Sequence, residues 1–129
     1  MTGPGQMNKN IRVALAHPQT IDMTTTGRRT GQLRRIELVY HVINGRIIIS
    51  GMPGRRDWYA NLLADPRLTF HLKGAVRADL PAVARPITEP AERRRVMEAV
   101  TRNWQASDRL ETFLRRSPLI EVIFEDAAA

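Results

Sequence analysis

The hydrophobic and polar residues of the chain follow patterns that predict short strands joined by tight turns, with helices between some of them. In the first half, Ile11 and Leu15 lie four residues apart after Asn8, a good helix cap, so a short helix ending before Pro18 is predicted. Asn44-Gly45 is a strong hairpin signal. The β-rich runs, which we predict to form a continuous meander, are Ile21 to Thr26, Leu33 to Ile43 and Arg46 to Ser50.

The second half of the chain predicts three more strands and three helical segments. One helix is expected to begin with Asp57 as its cap and to stop at Asp65-Pro66, because the residue before a proline is forced out of the helical region. Another is expected after a hydroxyl cap at Thr88 and continues with apolar residues at helical spacing to Trp104. The remaining predicted elements are a helical piece from Asp108 to Arg115 and the strands Leu68 to Leu72, Ala75 to Ala84 and Leu119 to Phe124.

This order of elements predicts an α+β fold. About six mainly antiparallel strands are interrupted by helices at the N-terminus, in the middle and before the last strand, which favours a sheet curled into a barrel over a doubly wound parallel sheet. A length of 129 residues with 43% hydrophobic content suits a single domain. Within it we expect an N-terminal helical segment over residues 1–19 and the barrel over residues 20–126.

Cysteine and histidine usage limits the chemistry that the chain can perform. The chain has no cysteine, which excludes disulfides and thiolate chemistry and fits a reducing compartment. No apolar run is long enough to span a membrane and the N-terminus lacks signal-peptide features, so we expect a cytoplasmic protein. The histidines His17, His41 and His71 lie far apart without ligand spacing, so no metal site is expected.

Positive charge is the strongest compositional feature. The chain has 20 Lys and Arg residues against 13 Asp and Glu, a net charge of +7, and only Lys9 and Lys73 are lysines. Arginine suits planar, bidentate recognition of carboxylate and phosphate, so an anionic partner is expected. The turn between the first two predicted strands reads T-T-T-G-R-R-T-G-Q-L-R from Thr24. Its backbone N–H groups and guanidinium groups predict an anion site built from Arg28, Arg29 and Arg34.

This turn, the Asn-Gly hairpin, and the segment Trp58-Tyr-Ala-Asn-Leu62 followed by Asp65-Pro66 resemble the deazaflavin-dependent nitroreductase family of the flavin-reductase-like split β-barrel superfamily. The resemblance covers roughly residues 20 to 125. It implies a split β-barrel that binds coenzyme F420, an anionic deazaflavin with a phosphate and an oligoglutamate tail. It also implies hydride transfer between the reduced cofactor and a small electrophilic substrate, a quinone, enone or nitro compound, and a homodimer.

The resemblance further implies which residues contact the cofactor. They come from the turn and the following strand, from the end of the third strand and its loop, and from the start of the middle helix: Arg28, Arg29, Thr30, Arg34, Arg35, Ile36, Glu37, Leu38, Val39, Ser50, Gly51, Met52, Pro53, Asp57, Trp58, Tyr59, Ala60 and Asn61. Met52-Pro53 replaces a serine and a lysine that relatives often carry, and we expect Arg55 and Arg56 to supply the missing charge. No catalytic residue is implied, because the cofactor carries the hydride chemistry. The proton donor stays open between Tyr59, Ser50 and water.

Three alternatives remain open from the sequence. A split-barrel protein that binds FMN or haem would share the fold and the basic site. The charge also suggests a nucleic-acid-binding module, but 5% aromatic content and the lack of a helix-turn-helix pattern disfavour nucleic acid as a partner. Weak association of the basic helix Glu89 to Gln105 with an anionic membrane surface is the third, although three glutamates dilute the charge of this helix.

Overall fold

The computed structural model describes residues 7–125, so residues 1–6 and residue 126 of the expected domain ranges lie outside the described residues. The helices in the described part are α1 (Lys9–Leu15), α2 (Asp57–Ala64), α3 (Pro90–Asn103) and α4 (Leu110–Arg116), with a 3₁₀ turn at Ser107–Arg109 before α4. The strands are β1 (Thr20–Thr26), β2 (Leu33–Val39), β3 (His41–Ile43), β4 (Arg46–Ser50), β5 (Arg67–Lys73), β6 (Arg77–Pro86) and β7 (Leu119–Phe124).

The strands form one antiparallel sheet in the order β2-β1-β5-β6-β7-β4-β3. Edge strands β2 and β3 are separated in the chain only by Tyr40, so the sheet curls until its two edges meet. The predicted α+β split barrel is confirmed. The predicted continuous meander is wrong, because the run from Leu33 to Ile43 divides at Tyr40: its first part pairs with β1 and its second with β4.

Tyr40 joins the two edges of the sheet and also connects the barrel core to α1. Its ring packs edge-on against Phe70, with 5.3 Å between the ring centroids. Its hydroxyl donates to the carbonyl oxygen of His17, just beyond α1, at 3.0 Å. Ile11 and Leu15 of α1 are buried in the same apolar core. We therefore propose that the N-terminal helix and the barrel form one folding unit.

The helices α3 and α4 pack against the strands β4 and β7 and enclose a second apolar core. Its buried members are Ile48, Ile87, Val96, Met97, Val100, Ala106, Phe113 and Leu119. A network of ion pairs borders it: Arg85 Nη2 lies 2.6 Å from Glu92 and 2.8 Å from Glu121, and Arg46 Nη2 contacts the same two carboxylates. The network ties the start of α3 to β4, β6 and β7.

The helix caps agree with the sequence in one case and differ in two. Asn8 caps α1, because its Oδ1 accepts the N–H of Ile11 at 2.9 Å. Asp57 is the first helical residue of α2 instead of its cap, and Arg56 stands at the cap position without a side-chain bond. Glu89 caps α3 in place of Thr88, because its carboxylate accepts hydrogen bonds from the N–H groups of the first turn. Its negative charge also interacts favourably with the positive end of the helix dipole. No helix in residues 7–125 is long and apolar enough to span a membrane.

Candidate functional site

The arginine-bearing turn between β1 and β2 is held closed by its own backbone. The N–H of Gly27 donates to the carbonyl of Gln32 at 2.7 Å, and the N–H of Gly31 donates to the carbonyl of Gly27 at 2.8 Å. Gly31 has a φ of 75°, which glycine adopts without strain. At Gly27 an added Cβ would lie 3.1 Å from the Gln32 oxygen, so a side chain there would require the turn to shift by a few tenths of an ångström.

Helix α2 fixes one arginine of this turn. The backbone N–H and Nη1 of Arg28 both donate to Oδ1 of Asn61, at 3.1 and 2.8 Å, and Arg28 Nη2 lies 3.3 Å from the exposed carboxylate of Asp57. Asn61 is buried, and its Nδ2 lies 3.5 Å from the hydroxyl of Thr25. Asn61 is therefore a positioning residue that attaches the turn to α2, and its amide does not lie on the surface.

A groove of about 440 Å³ lies between the turn and α2. It is lined by Thr25, Gly27, Arg28, Arg29, Thr30, Arg34, Ile36, Asp57, Trp58 and Asn61. Neither Arg29 nor Arg34 forms an ion pair with any residue that the structure describes. Their guanidinium groups are therefore able to bind an anion through charge-assisted hydrogen bonds. We call this space the turn groove.

One wall of the turn groove is apolar. Trp58 is partly buried against the main core and also lines the groove, so it both fills the core and offers an aromatic surface. Ile36 of β2 adds a second apolar side chain to the lining. A groove with an apolar wall and two unpaired arginines suits a planar aromatic ligand that carries an anionic group.

Two of the predicted site residues on α2 border a neighbouring groove instead. Tyr59 and Ala60 line a space of about 470 Å³, which shares Arg28 and Asp57 with the turn groove. The Tyr59 ring centroid lies 6.0 Å from that of Trp58. The two spaces therefore adjoin along the first turn of α2.

Arg35 and Glu37 point away from the turn groove. Side chains alternate between the faces of a strand, so Ile36 faces the groove while its two neighbours lie on the outer face. There Arg35 Nε donates to Asp22 at 3.0 Å, and Glu37 forms an ion pair with Lys73. Both charges are engaged on the outer surface of the sheet.

The structure also separates the far end of β2 from the turn groove. Leu38 packs against the main core, and Val39 lines a different groove beside His41. The sequence resemblance alone placed both residues at the cofactor.

The loop from Ser50 to Pro53 does not line the turn groove either. Ser50 is buried, and its hydroxyl donates to the carbonyl oxygen of Pro118 at 2.6 Å. The carbonyl oxygen of Met52 accepts a bond from Arg56 Nη2 at 2.9 Å. Arg56 thus stands between this loop and α2.

The predicted cofactor contacts did not include two residues that line the turn groove, Thr25 and Gly27. Thr25 is buried and follows the alternation of the inward residues Ile21 and Met23 in β1, which is the signal that could have found it. Gly27 stands out in the sequence only as a turn glycine. Within residues 7–125, no cluster of three side chains is arranged to hold a metal ion.

Solved structures share this fold. They include a conserved hypothetical protein of Mycobacterium tuberculosis (TM-score 0.72, 20% identity, 92% of this chain and 81% of that one) and an F420-H2-dependent reductase (TM-score 0.60, 23% identity, 80% and 92%). Another is described as a domain-swapped dimer (TM-score 0.59, 24% identity, 80% and 78%). At these identities the likeness defines a class of fold, the flavin-reductase-like split β-barrel.

A family model narrows this class. The model described as F420H(2)-dependent quinone reductase matches residues 6–123, and the chain belongs to that family. The protein is accordingly an oxidoreductase, and its cofactor is coenzyme F420. The alternatives of FMN and haem are not favoured.

The residues of the turn groove fit this cofactor. Unpaired guanidinium groups of Arg29 and Arg34 match a phosphate, and Gly27 lines the same groove. Ile36 and Trp58 provide apolar surface for a ring system. The lining of the turn groove therefore matches both the negative charge and the aromatic ring system of a deazaflavin.

Proposed function

We propose that the chain reduces a small electrophilic molecule, a quinone in the first place and an enone or nitro compound otherwise, and that its cofactor binds in the turn groove. The observation that carries the proposal is the combination of unpaired Arg29 and Arg34 with the apolar wall at Trp58 in a single space. The family description, which names quinones, supports the substrate class.

The bound cofactor supplies the hydride, and the residues of the chain bind, orient and exclude water. Arg29 and Arg34 hold anionic oxygens, and the Thr30 hydroxyl adds a donor at the tip of the turn. Asn61 keeps Arg28 in place from behind. Trp58 removes water from one face of the groove.

The structure supports Tyr59 over Ser50 as the source of a proton for the product. The Ser50 hydroxyl is buried and already donates to Pro118. Tyr59 is only half-buried and lines the space next to the turn groove. Its hydroxyl is therefore free to donate to a substrate seated there.

A fluorescence titration with the cofactor tests the location of the site. The double variant Arg29→Gln/Arg34→Gln should bind the cofactor more weakly, by about 1.5–3 kcal/mol for each lost charged hydrogen bond. The matched control is Arg12→Gln/Arg102→Gln, which removes the same charge from the last turns of α1 and α3. Equal cofactor affinities in the two double variants would show that the cofactor does not bind in the turn groove.

A substrate panel tests the reaction. Reduced cofactor is mixed with the protein and a quinone, an enone or a nitro compound, and its oxidation is followed by absorbance. We expect the quinone to be reduced fastest. Oxidation of the cofactor by none of the three classes would contradict the proposed substrate class.

We also propose a homodimer, in line with the solved relative that is described as a domain-swapped dimer. Leu33 is the position we choose for the test, because it is 73% exposed and lies on the edge strand β2, where a second copy could pair with the sheet. Leu33→Glu should lower the mass measured by light scattering from dimer to monomer, whereas Val13→Glu on α1 should leave it unchanged. A monomeric wild-type protein would contradict the proposal.

A further inference from the structure

A second positively charged cavity lies at the end of α4. It has a volume of about 390 Å³, and arginines from three separate parts of the chain line it, together with Tyr59, Gly54, Ser117 and Pro118. These arginines are Arg55 and Arg56 from the loop before α2, Arg93 from α3, and Arg115 and Arg116 from α4. We call this cavity the arginine pocket.

No carboxylate balances the arginine pocket. Its lining contains neither Asp nor Glu, and none of its arginines forms an ion pair with a residue in the described part of the chain. Elsewhere arginines such as Arg46, Arg85 and Arg94 are paired with glutamates. Gathering like charges without counter-ions is unfavourable, and a bound anion relieves the repulsion.

Arg93 removes an obstacle to anion binding at this place. The carbonyl groups at the end of a helix carry partial negative charge and repel anions. Arg93 engages those carbonyls: its Nε donates to Leu114 at 3.0 Å and its Nη2 to Ser117 at 2.6 Å. Its Nη1 donates to the carbonyl of Ile87 at 3.1 Å. The end of α4 is thus covered by a half-buried, rigidly held guanidinium group.

A buried hydroxyl in the lining of the arginine pocket also lacks a partner. Ser117 is 5% exposed, and its Oγ makes no hydrogen bond to any described residue. A buried polar atom without a partner is costly, and such atoms commonly bind a ligand or water. The observation is independent of the arginines.

An alternative explanation covers only part of the arginine pocket. Arg115 and Arg116 lie in the last turn of α4, where basic residues stabilise the helix dipole. That role does not require Arg55 and Arg56, which come from a distant loop, and it does not satisfy Ser117.

The arginine pocket is linked to the proposed cofactor site by a space that adjoins both. Arg55, Arg56 and Tyr59 also line the space of about 470 Å³ next to α2, which shares Arg28 with the turn groove. Basic side chains therefore follow one another from the turn at Gly27 to the end of α4.

We propose that the arginine pocket is a second anion-binding site, which takes a carboxylate group. The carboxylate comes from one of two sources. The first is the acidic tail of a cofactor seated in the turn groove, and this source rests on the proposed function. The second is a separate carboxylate molecule. Arg115 and Arg116 contact the anion from the exposed side, and the Ser117 hydroxyl donates to it from the buried side.

The first arm of the test compares cofactor with several glutamates in its tail and cofactor with none, by fluorescence titration. Wild-type protein should bind the long-tailed form about threefold to tenfold more tightly, the range expected for exposed charge pairs. Arg115→Gln/Arg116→Gln should abolish this difference and leave the affinity for the tailless form unchanged. Arg12→Gln/Arg102→Gln, with the same loss of charge, should keep the difference.

The second arm uses citrate with the cofactor-free protein and follows the backbone amide signal of Ser117 by NMR. A saturable shift that disappears in Arg115→Gln/Arg116→Gln, together with no effect of tail length, would assign the pocket to a separate carboxylate. Absence of both the tail effect and the citrate shift would overturn the proposal. Failure of the tailless cofactor to bind in the turn groove would instead count against the proposed function, because that form does not reach the arginine pocket.

Discussion

Arg28 donates two hydrogen bonds to a single atom, Oδ1 of the buried Asn61, one from its backbone N–H at 3.1 Å and one from Nη1 at 2.8 Å. The turn that carries the anion-binding arginines is thereby attached to α2. The Arg28 side chain therefore stabilises the turn, whereas the guanidinium groups of Arg29 and Arg34 form no ion pair within residues 7–125.

Replacing Asn61 should therefore weaken both the fold and the site. Asn61→Ala leaves two donors of Arg28 without their acceptor, and we expect the free energy of unfolding to fall by about 1–3 kcal/mol. Cofactor affinity should fall as well, because the turn loses its attachment. Urea unfolding and fluorescence titration measure the two effects.

A conservative variant makes this expectation specific. Asn61→Asp keeps an acceptor oxygen for Arg28 and should restore most of the stability lost in Asn61→Ala, whereas its negative charge in the turn groove should keep the affinity for the anionic cofactor low. If alanine at this position changes neither the unfolding midpoint nor the affinity, the attachment has no energetic weight.

Tyr59→Phe should slow the reaction while leaving the cofactor bound. The variant removes only the hydroxyl that we propose as proton donor, and general acid catalysis commonly contributes at least about a hundredfold to the rate. We expect kcat for quinone reduction to fall at least tenfold, roughly, with water as the replacement donor. Steady-state assays measure kcat, single-turnover oxidation of reduced cofactor measures the chemical step, and an unchanged single-turnover rate constant would exclude Tyr59.

Acid should destabilise the protein through Glu92. The hydrogen bond from Arg85, followed by that from Arg46, lowers the pKa of Glu92 from its usual 4.5 to about 2, against the opposing effect of burial. Since the pKa is lower in the folded state, the stabilisation is complete above pH 4.5 and is lost as the pH falls toward about 2. In Glu92→Gln the melting temperature should depend less on pH across this window.

Glu98→Gln is the matched control for Glu92, because Glu98 is exposed on the same helix and forms no ion pair with a described residue. Its melting curve should follow that of the wild-type protein at every pH. If the melting temperatures of Glu92→Gln and wild type depend on pH in the same way, the ion pairs of Glu92 with Arg85 and Arg46 contribute nothing to stability.

His41 should make stability depend on pH in a higher range. It is 5% exposed, its Nδ1 accepts a bond from Asn103 at 3.0 Å, and its Nε2 has no partner among the described residues. Burial lowers the pKa of His41 from its usual 6.5. The unfolded chain therefore takes up the proton first, and stability falls as the pH drops below 6.5 through the folded-state pKa.

The change in the free energy of unfolding between about pH 7.5 and about pH 5.5 tests this expectation. It should be smaller in His41→Gln than in the wild-type protein, whereas the exposed His17→Gln should behave like wild type. A wild-type protein equally stable at both values would contradict it.

Local signals in the sequence were sufficient for most of the fold. Asn44-Gly45 marked the hairpin between β3 and β4, and the apolar run Leu119 to Phe124 gave the bounds of β7. The division at Tyr40 could not be predicted, because the β-rich pattern continues through it and only the pairing partners change. That change depends on contacts between distant parts of the chain.

The candidate site was predictable in composition but not in detail. A sequence cannot distinguish Arg28, whose donors are engaged by a buried amide, from Arg29, whose donors are unpaired in the described structure. The same holds for Ser50, whose hydroxyl bonds to a carbonyl from the far end of the chain. The location of the residues from Ser50 to Pro53 relative to the cofactor stays a prediction.

We expect closure of the barrel at the Tyr40 junction to be a late event in folding. The two hairpins that Tyr40 joins, β1–β2 and β3–β4, are local, whereas the pairing of β1 with β5 and of β4 with β7 needs segments far along the chain. Contacts between distant segments form more slowly than local ones. The β1–β2 hairpin can therefore adopt its turn, with its arginines, before the helix that anchors it arrives.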